Sequence, residues 1–255
     1  MPLSRRQLGF AAAMGLAALA SLSSSAFAAG PVSIYTYHNH PPFVLEAGKG
    51  LSYDLAEYLN RKAKGSATFR IEVVTRAQLD KLLASPDFSG VVAWVAPEWL
   101  KDKDKTTYLW TGGVMDDANV ILSSTKAKLE YKDPSSLKGK QFGGIAGHKY
   151  AGIDDLVAAG AIVREDAEKE RNNLRKLEAG RIDATLLPRS TANFLLKEMD
   201  LGSKVYVAPT AQSSYTRQIL VPKGNAELHK LVSAAVADMG KDSGWQATLT
   251  SYGGK

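Results

Sequence analysis

Short apolar runs alternate with one-sided helical patterns along most of this 255-residue chain. Residues 90–95 form a continuous apolar run that is typical of a buried strand, whereas residues 51–59 place their apolar side chains on one helix face. The alternation returns in the second half, where runs at 142–146 and 182–187 are each followed by a helical pattern. Alternating strands and helices favour a parallel sheet with helices on its faces, so we predict an α/β fold.

One connection in this alternation has the features of a ligand site. The predicted strand 142–146 runs into Gly147, and the helical pattern after it ends at Gly160. A glycine turn between a strand and a helix leaves backbone N–H groups and the positive end of the helix dipole facing outward. Ligands of open α/β sheets bind at this edge, beyond the carboxyl ends of the strands. An ordinary βα connection has the same pattern, so the rest of the chain must decide between the two interpretations.

Residues 1–28 carry the three parts of a secretory signal peptide. Arg5 and Arg6 form the basic part, residues 8–20 form the apolar part, and residues 26–28 form a small-residue cleavage site. The apolar part is too short to span a bilayer as a helix. The arginine pair fits a twin-arginine export signal and an ordinary Sec leader equally well. We therefore predict that the mature chain begins near Ala29 and is a soluble protein of the periplasm.

Composition excludes several classes of function. The chain has no cysteine, which excludes disulfides, thiolate metal sites and a lipoprotein anchor. The formal net charge is +6, and removal of the two leader arginines leaves +4. The basic residues are dispersed rather than clustered with aromatic residues, so we expect no nucleic-acid partner. No segment after the leader reaches the length of a membrane span.

His38 and His40 lie two residues apart in an aromatic, proline-containing loop, and such a pair can chelate a metal. A third ligand cannot be located in the sequence, where His148 is only a guess, so polar contacts beside a cleft are the simpler interpretation. The chain also has no glycine-framed nucleophile and no phosphate-binding Gly-x-x-x-x-Gly-Lys-Ser/Thr motif. We expect neither a metal nor a cofactor.

Four motifs follow one another along the mature chain: GLSYDL at 50–55, LKGK at 137–140, GHKY at 147–150 and NLRKLEAGRIDA at 173–184. In order and spacing they resemble the periplasmic solute-binding proteins of amino-acid-type ABC importers (solute-binding protein family 3). The resemblance implies a two-lobed periplasmic-binding-protein-like fold (type II) with two crossover strands as its hinge. It places lobe 1 at 29–119 plus 220–255 and lobe 2 at 120–219, with hinges near Asn119 and Tyr215.

The chain departs from this family at the positions that usually hold an α-amino acid. The family has a Thr-Pro-Glu-Arg segment whose arginine binds the ligand carboxylate, and here the segment is Ala-Pro-Glu-Trp, ending at Trp99. Trp94 occupies the position of a small hydroxyl residue, and His148 replaces the threonine of a Gly-Thr pair. Pro188 replaces the ammonium-binding aspartate. Because an indole cannot form the bidentate pair of an arginine, we predict weak or no binding of ordinary amino acids.

The site that remains is an aromatic cleft with several polar contacts. Its predicted residues are Tyr37, His38, Phe43, Trp94, Trp99, Gly147, His148, Lys149, Tyr150 and Arg189. Aromatic faces suit flat rings, sugars or a cation held by cation–π attraction. Lys149, Arg189 and the N–H groups near Gly147 suit an anionic group. We predict that the ligand is a small organic solute with an apolar or aromatic body and one anionic group.

The resemblance implies the substrate-binding component of an ABC-type importer, which closes around its solute and presents it transiently to a membrane permease. Two alternatives stay open. A periplasmic dehydratase-like enzyme on the same fold needs an acid/base pair, and no spacing links the evident residues, which are His38, Glu46, Glu98 and His148. An orphan sensor would bind the ligand without a permease. We predict a binding protein rather than an enzyme, and a monomer, because a closing cleft needs no second subunit.

Overall fold

The computed structural model describes residues 30–253, so the signal peptide predicted at 1–28 lies outside the described residues. The strands are β1 (Val32–Thr36), β2 (Phe69–Val73), β3 (Val91–Val95), β4 (Tyr108–Trp110), β5 (Met115–Ser124), β6 (Gln141–Ile145), β7 (Val163–Ala167), β8 (Ala184–Pro188) and β9 (Val205–Pro222). The helices are α1 (Leu51–Ala63), α2 (Arg76–Leu83), α3 (Ile153–Ala158), α4 (Glu170–Glu178), α5 (Arg189–Glu198), α6 (Ala226–Met239) and α7 (Ser243–Ser251). Among residues 30–253, no helix has the length and apolar character of a membrane span.

The strands form a mixed sheet in the order β2-β1-β3-β9-β5-β8-β6-β7, with β4 paired to β9. Parallel pairs lie in its outer parts, where β1 pairs with β2 and β3, and β6 pairs with β7 and β8. The central strands β9 and β5 run antiparallel to each other and to β3 and β8. The predicted α/β fold is confirmed. The sheet is parallel only in those outer parts, where helices such as α1 and α3 connect successive strands.

Two groups of elements bury separate hydrophobic cores. In lobe 1, which comprises β1–β4 with α1, α2, α6 and α7, the core includes Leu55, Tyr58 and Trp245. In lobe 2, which comprises β6–β8 with α3–α5, one core cluster includes Leu174 and Leu195. Helices α1, α5 and α6 each bury an apolar stripe that their sequence spacing defines, so helix–sheet packing within each lobe stabilises that lobe.

Strands β5 and β9 belong to both lobes and are called the hinge strands below. Strand β9 pairs with β3 and β4 near its C-terminal end and with β5 over 205–217. Strand β5 pairs with β8 over 119–123. The chain therefore crosses between the lobes twice, and both crossings lie side by side in one antiparallel pair. Asn119 pairs with Ser213, and Asp117 pairs with Tyr215, at this crossing.

Candidate ligand-binding site

A cavity of about 520 Å³ lies between the two lobes. Its wall is formed by Tyr37, His38, His40 and Trp99 of lobe 1, by Ile145, His148, Lys149, Tyr150, Ala151, Glu170, Leu186, Leu187 and Pro188 around lobe 2, and by Asn119, Gln212, Ser213, Tyr215 and Arg217 of the hinge strands. A concave site of this size can enclose a small organic molecule. Because the wall comes from both lobes, a molecule bound here would hold the lobes together.

Tyr37 and Trp99 form an aromatic wall on lobe 1. Tyr37 follows β1, and Trp99 lies in a short 3-10 turn over Pro97–Leu100 that follows β3. Arg76 supports both residues: its Nη2 donates to the Trp99 carbonyl at 2.9 Å, and its guanidinium carbon lies 5.3 Å from the centre of the Tyr37 ring. Burial raises the pKa of the Tyr37 hydroxyl, although the charge of Arg76 acts in the opposite direction. The side chains of this wall are therefore uncharged, and Arg76 fixes their position.

Trp94 and Phe43 lie behind this wall and are fully buried. Trp94 has a φ of 66° within β3, where the pairing with β9 changes register between Val92 and Val95. Its ring packs against Phe43, and its Nε1 donates to Ser52 Oγ at 2.9 Å. A left-handed backbone is costly for a bulky residue and persists only where its surroundings hold it. Here the Trp94 carbonyl accepts a hydrogen bond from Arg217.

Arg217 and Asp117 form a buried ion pair on the two hinge strands, and both side chains are 1% exposed. Arg217 Nε donates to Asp117 Oδ2 at 3.0 Å, and Arg217 Nη1 donates to the Trp94 carbonyl at 2.9 Å. The carboxylate of Asp117 also accepts hydrogen bonds from the backbone N–H and the hydroxyl of Ser190 in lobe 2. A buried pair needs this kind of complete hydrogen bonding, because each charge has lost its water. The pair links β3, both hinge strands and α5.

The loop after β6 forms the facing wall on lobe 2. Gly147 has a φ of 78°, a left-handed conformation that glycine adopts without strain. His148 and Lys149 are exposed at the cavity, whereas Tyr150 is buried beside it and accepts a hydrogen bond from the Ile145 N–H at 2.8 Å. Burial raises the pKa of Tyr150 to about 12, against the opposing effect of that hydrogen bond. Lobe 2 therefore presents an exposed cation, Lys149, beside a buried and neutral phenol, Tyr150.

The hinge strands form a polar floor of amide and hydroxyl groups. Tyr215 Oη donates to Asn119 Oδ1 at 3.2 Å, and Asn119 Nδ2 donates to Ser213 Oγ at 3.0 Å. Ser213 Oγ in turn donates to Gln212 Oε1 at 2.8 Å. Burial raises the pKa of the Tyr215 hydroxyl, so this chain of donors and acceptors is uncharged at neutral pH. Such groups orient a ligand without adding net charge.

Three residues with formal charges line the cavity, and one of them, Arg217, is paired with Asp117. Lys149 and Glu170 line it with opposite formal charges. Burial, followed by the charge of Arg217, lowers the pKa of His38 well below its usual 6.5, and burial also lowers the pKa of His40. Both imidazoles are therefore neutral at pH 7. Among residues 30–253, no group of three or more histidine, aspartate or glutamate side chains is placed to hold a metal ion.

Six of the ten predicted site residues line the cavity, namely Tyr37, His38, Trp99, His148, Lys149 and Tyr150. The other four do not. Phe43 and Trp94 are packed into the core of lobe 1, and Gly147 shapes the loop without lining the cavity. Arg189 starts α5 and lines a separate cavity of about 430 Å³ next to Asp117, beyond the hinge strands.

His40, which the sequence suggested only as a polar contact beside a cleft, lines the cavity, and the lining residues that were not predicted as site residues include Asn119, Glu170, Gln212, Ser213, Tyr215 and Arg217. One signal was available for Arg217, because it is the single charged residue in the otherwise uncharged stretch 215–221. Its partner Asp117 lies 100 positions away, so sequence spacing could not pair them. Pro188, which the resemblance placed at the ammonium site, does line the cavity.

Comparison with known proteins gives this two-lobed architecture its class. No protein-family model matches the chain. The L-cystine-binding protein TcyJ of Escherichia coli K12 is 26% identical over 219 residues, which cover 84% of this chain and 79% of that protein. An ancestral arginine-binding protein bound to arginine has a TM-score of 0.65 at 21% identity, covering 88% of this chain and 98% of its own.

A third similar protein is AncCDT-1, an ancestral amino acid-binding protein and precursor of cyclohexadienyl dehydratase. Its TM-score is 0.64 at 16% identity, and the match covers 88% of this chain and 95% of that one. The fold of this chain is therefore that of the two-lobed periplasmic binding proteins, as the sequence motifs predicted. A fold does not by itself determine a function, so the function must be argued from the site.

Proposed function

We propose that this chain is the solute-binding component of an ABC-type importer. The observation that carries the proposal is the cavity of about 520 Å³ whose wall is shared by two lobes and two hinge strands. Ligand binding to such a cavity favours the closed arrangement of the lobes, because only that arrangement lets both walls contact the solute. The similarity to L-cystine-, arginine- and other amino-acid-binding proteins supports a binding role.

The proposed solute is a small organic molecule with an apolar or aromatic body and one anionic group. The aromatic wall of Tyr37 and Trp99 suits the body of such a molecule. Lys149 on the opposite wall is the exposed cation nearest in the chain to the glycine turn. Arg189, which the sequence suggested as a second cation, lies outside this cavity, so the proposal assigns the anionic group to Lys149 and its loop.

Ordinary amino acids are proposed to bind weakly, if at all. Trp99 replaces the family's carboxylate-binding arginine, and Pro188 replaces its ammonium-binding aspartate. Arg217 does not replace the missing carboxylate-binding arginine, because its guanidinium is buried and already bonded to Asp117 and Trp94. This divergence from family 3 is part of the proposal, and L-cystine belongs among the compounds that test it.

The proposal includes export through the signal peptide at 1–28, a periplasmic location, a monomeric state and transient contact with a membrane permease. It also includes lobe 1 at 29–119 plus 220–255 and lobe 2 at 120–219, and the pairing of β5 with β9 supports a hinge near Asn119 and Tyr215. The chain is proposed to bind its solute without turnover, since its named relatives include binding proteins for L-cystine and arginine. Recovery of the bound compound unchanged after incubation tests that point against a dehydratase-like activity.

The experiment that tests this function is a thermal-shift screen of residues 29–255. The compounds are the standard amino acids, L-cystine, aromatic and other organic acids, sugars and quaternary amines. A ligand present at about a hundredfold excess over its dissociation constant adds roughly 2.7 kcal/mol to the free energy of unfolding. We expect a shift with an organic acid and none with a standard amino acid. Submillimolar binding of a standard amino acid would overturn the proposed solute class.

A matched pair of arginine and lysine variants then tests the site. Lys149→Ala removes a cation that lines the cavity, and Arg189→Ala removes one that lines the separate cavity. With the ligand found in the screen, titration calorimetry should give weaker binding for Lys149→Ala and for Trp99→Ala, and unchanged binding for Arg189→Ala. Equal affinities in all three variants would place the ligand elsewhere.

A further inference from the structure

The guanidinium of Arg217 is surrounded by three aromatic rings. Its central carbon lies 4.5 Å from the ring centre of Phe43, 5.4 Å from that of Trp99 and 5.1 Å from that of Tyr215. These distances are those of cation–π contacts, and the same arrangement of rings recognises quaternary ammonium ligands in other proteins. We call these three residues the aromatic box. Two of them, Trp99 and Tyr215, also line the solute cavity.

The guanidinium of Arg217 is held firmly in the aromatic box. Arg217 is 1% exposed and is fixed by two short contacts to Asp117 and by one to the Trp94 carbonyl, all between 2.9 and 3.0 Å. Arg217 Nη2 also donates to Tyr215 Oη at 3.3 Å. A guanidinium with this many partners keeps its place, because withdrawal would leave the buried carboxylate of Asp117 unpaired.

The two charges of the ion pair face different cavities. Arg217 lines the cavity between the lobes, whereas Asp117 lines the cavity beyond the hinge strands, beside Arg189. The pair is neutral as a whole, but its positive end is the one that faces the solute. At short range and in a partly buried setting, the nearer charge dominates the potential that a solute meets.

We propose that Arg217 is the specificity-determining residue of the cleft: it fills the aromatic box as an internal cation and thereby excludes positively charged solutes. This inference rests on the proposed solute-binding function and narrows the solute to neutral or anionic molecules. The sequence left a cation held by aromatic faces as one possible ligand, and the structure places the protein's own cation in that position. An ion pair with a purely structural role would not discriminate between cationic solutes and neutral or anionic ones.

The test converts the occupied box into an empty one. In Arg217→Ala the three rings and the Asp117 carboxylate remain, so the box should accept a small cation from solution. The probes are guanidinium chloride at low millimolar concentration and tetramethylammonium chloride, with sodium chloride at equal ionic strength as the reference. We expect a saturable rise in the melting temperature of Arg217→Ala with both probes, and no rise for the wild type. Arg217→Lys keeps a charge at the box and should also show no rise.

A double variant covers the case in which Arg217→Ala does not fold. Asp117→Asn combined with Arg217→Ala removes both charges and leaves the rings, so tetramethylammonium should still stabilise it relative to sodium chloride. Absence of stabilisation by either probe in every folded variant overturns the inference, and so does stabilisation of the wild type by tetramethylammonium. If the wild type binds an organic acid but no variant binds a cation, the inference about Arg217 is wrong and the proposed solute-binding function still stands. If the variants bind cations but no solute is found for the wild type, the proposed solute-binding function loses support instead.

Discussion

His38 shows how one side chain at the site depends on its neighbours. It is 8% exposed, and its Nε2 lies 3.4 Å from Arg217 Nη1. Burial has the largest effect on its pKa, the charge of Arg217 the next, and both lower it well below 6.5. Protonation would place a second positive charge against the guanidinium, so the folded protein holds this imidazole neutral.

This environment predicts a loss of stability in mild acid. In the unfolded chain His38 takes up a proton near pH 6.5, whereas in the folded chain it does so only at a lower pH. The free energy of unfolding should therefore fall as the pH drops below about 6.5, by up to about 1.4 kcal/mol per pH unit from this group. Urea unfolding at pH 7, 6 and 5 measures the slope.

The variant that isolates this effect is His38→Asn, which cannot titrate, and it should flatten the decline between pH 7 and pH 5. His148→Asn, which removes an exposed histidine at the same cavity, is the control for the loss of one imidazole. If His38→Asn declines as steeply as the wild type, the lowered pKa of His38 does not govern the acid sensitivity.

At the residue scale the sequence predicted side chains that follow strands better than side chains within them. Tyr37, Trp99 and Lys149 come after β1, β3 and β6, and this position together with the family resemblance predicted them at the edge where ligands bind. Trp94 was predicted to contact the ligand in the aromatic cleft, but at the bulge it is buried in the core of lobe 1. A bulge depends on the register with β9, a strand more than one hundred residues away, and no local pattern encodes it.

At the scale of elements, α5 has an unusual start. Pro188 precedes it and provides no side-chain cap. Asp117 on hinge strand β5 takes that role from a distance, since its Oδ1 accepts the Ser190 N–H at 3.1 Å and its Oδ2 accepts the Ser190 hydroxyl at 2.7 Å. A carboxylate at a helix N-terminus also complements the helix dipole. Helix α5 of lobe 2 is thus anchored to hinge strand β5.

Removal of that anchor should be measurable without loss of the fold. Ser190→Ala deletes one hydrogen bond to a buried carboxylate but keeps the backbone N–H contact. We expect a decrease of about 1 to 2 kcal/mol in the free energy of unfolding, measured by urea denaturation at pH 7. The control is Ser251→Ala, whose exposed hydroxyl donates to the Thr248 carbonyl, and it should change stability by less than about 0.5 kcal/mol. Equal effects of the two substitutions would contradict the anchoring role.

Elements with a strong hydrophobic period were predictable, and elements defined by pairing were not. The helical face at 51–59 corresponds to α1, which spans Leu51–Ala63. The crossover strands expected near Asn119 and Tyr215 belong to the longer strands β5 and β9, and β9 runs unbroken over 18 residues. Its polar middle has no strand-like alternation, because it forms the cavity floor and pairs with β5 on one side only. Pairing, rather than local preference, extends the strand.

At the scale of the whole molecule, the two lobes have their own cores and share the two hinge strands. Side-chain contacts also bridge the lobes directly: Thr191 Oγ1 lies 3.2 Å from His40 Nδ1, Asn193 Nδ2 donates to the Gly253 carbonyl at 2.8 Å, and the ring centre of Phe194 lies 6.0 Å from that of Tyr252. Two adjacent antiparallel strands can bend together while both cores stay intact. This architecture allows rigid-body motion of one lobe against the other, which is the hinge closure seen in ligand-binding proteins of this shape.

The last prediction concerns that motion. A ligand that contacts both walls binds the closed arrangement more tightly than the open one, and it shifts the population only by this difference in affinity. We expect small-angle X-ray scattering to give a smaller radius of gyration with saturating ligand than without it. Trp99→Ala, which removes one wall, should need a higher ligand concentration for the same compaction. A ligand that raises the melting temperature yet leaves the radius of gyration unchanged would mean that the lobes are already closed, and binding would then require a transient opening.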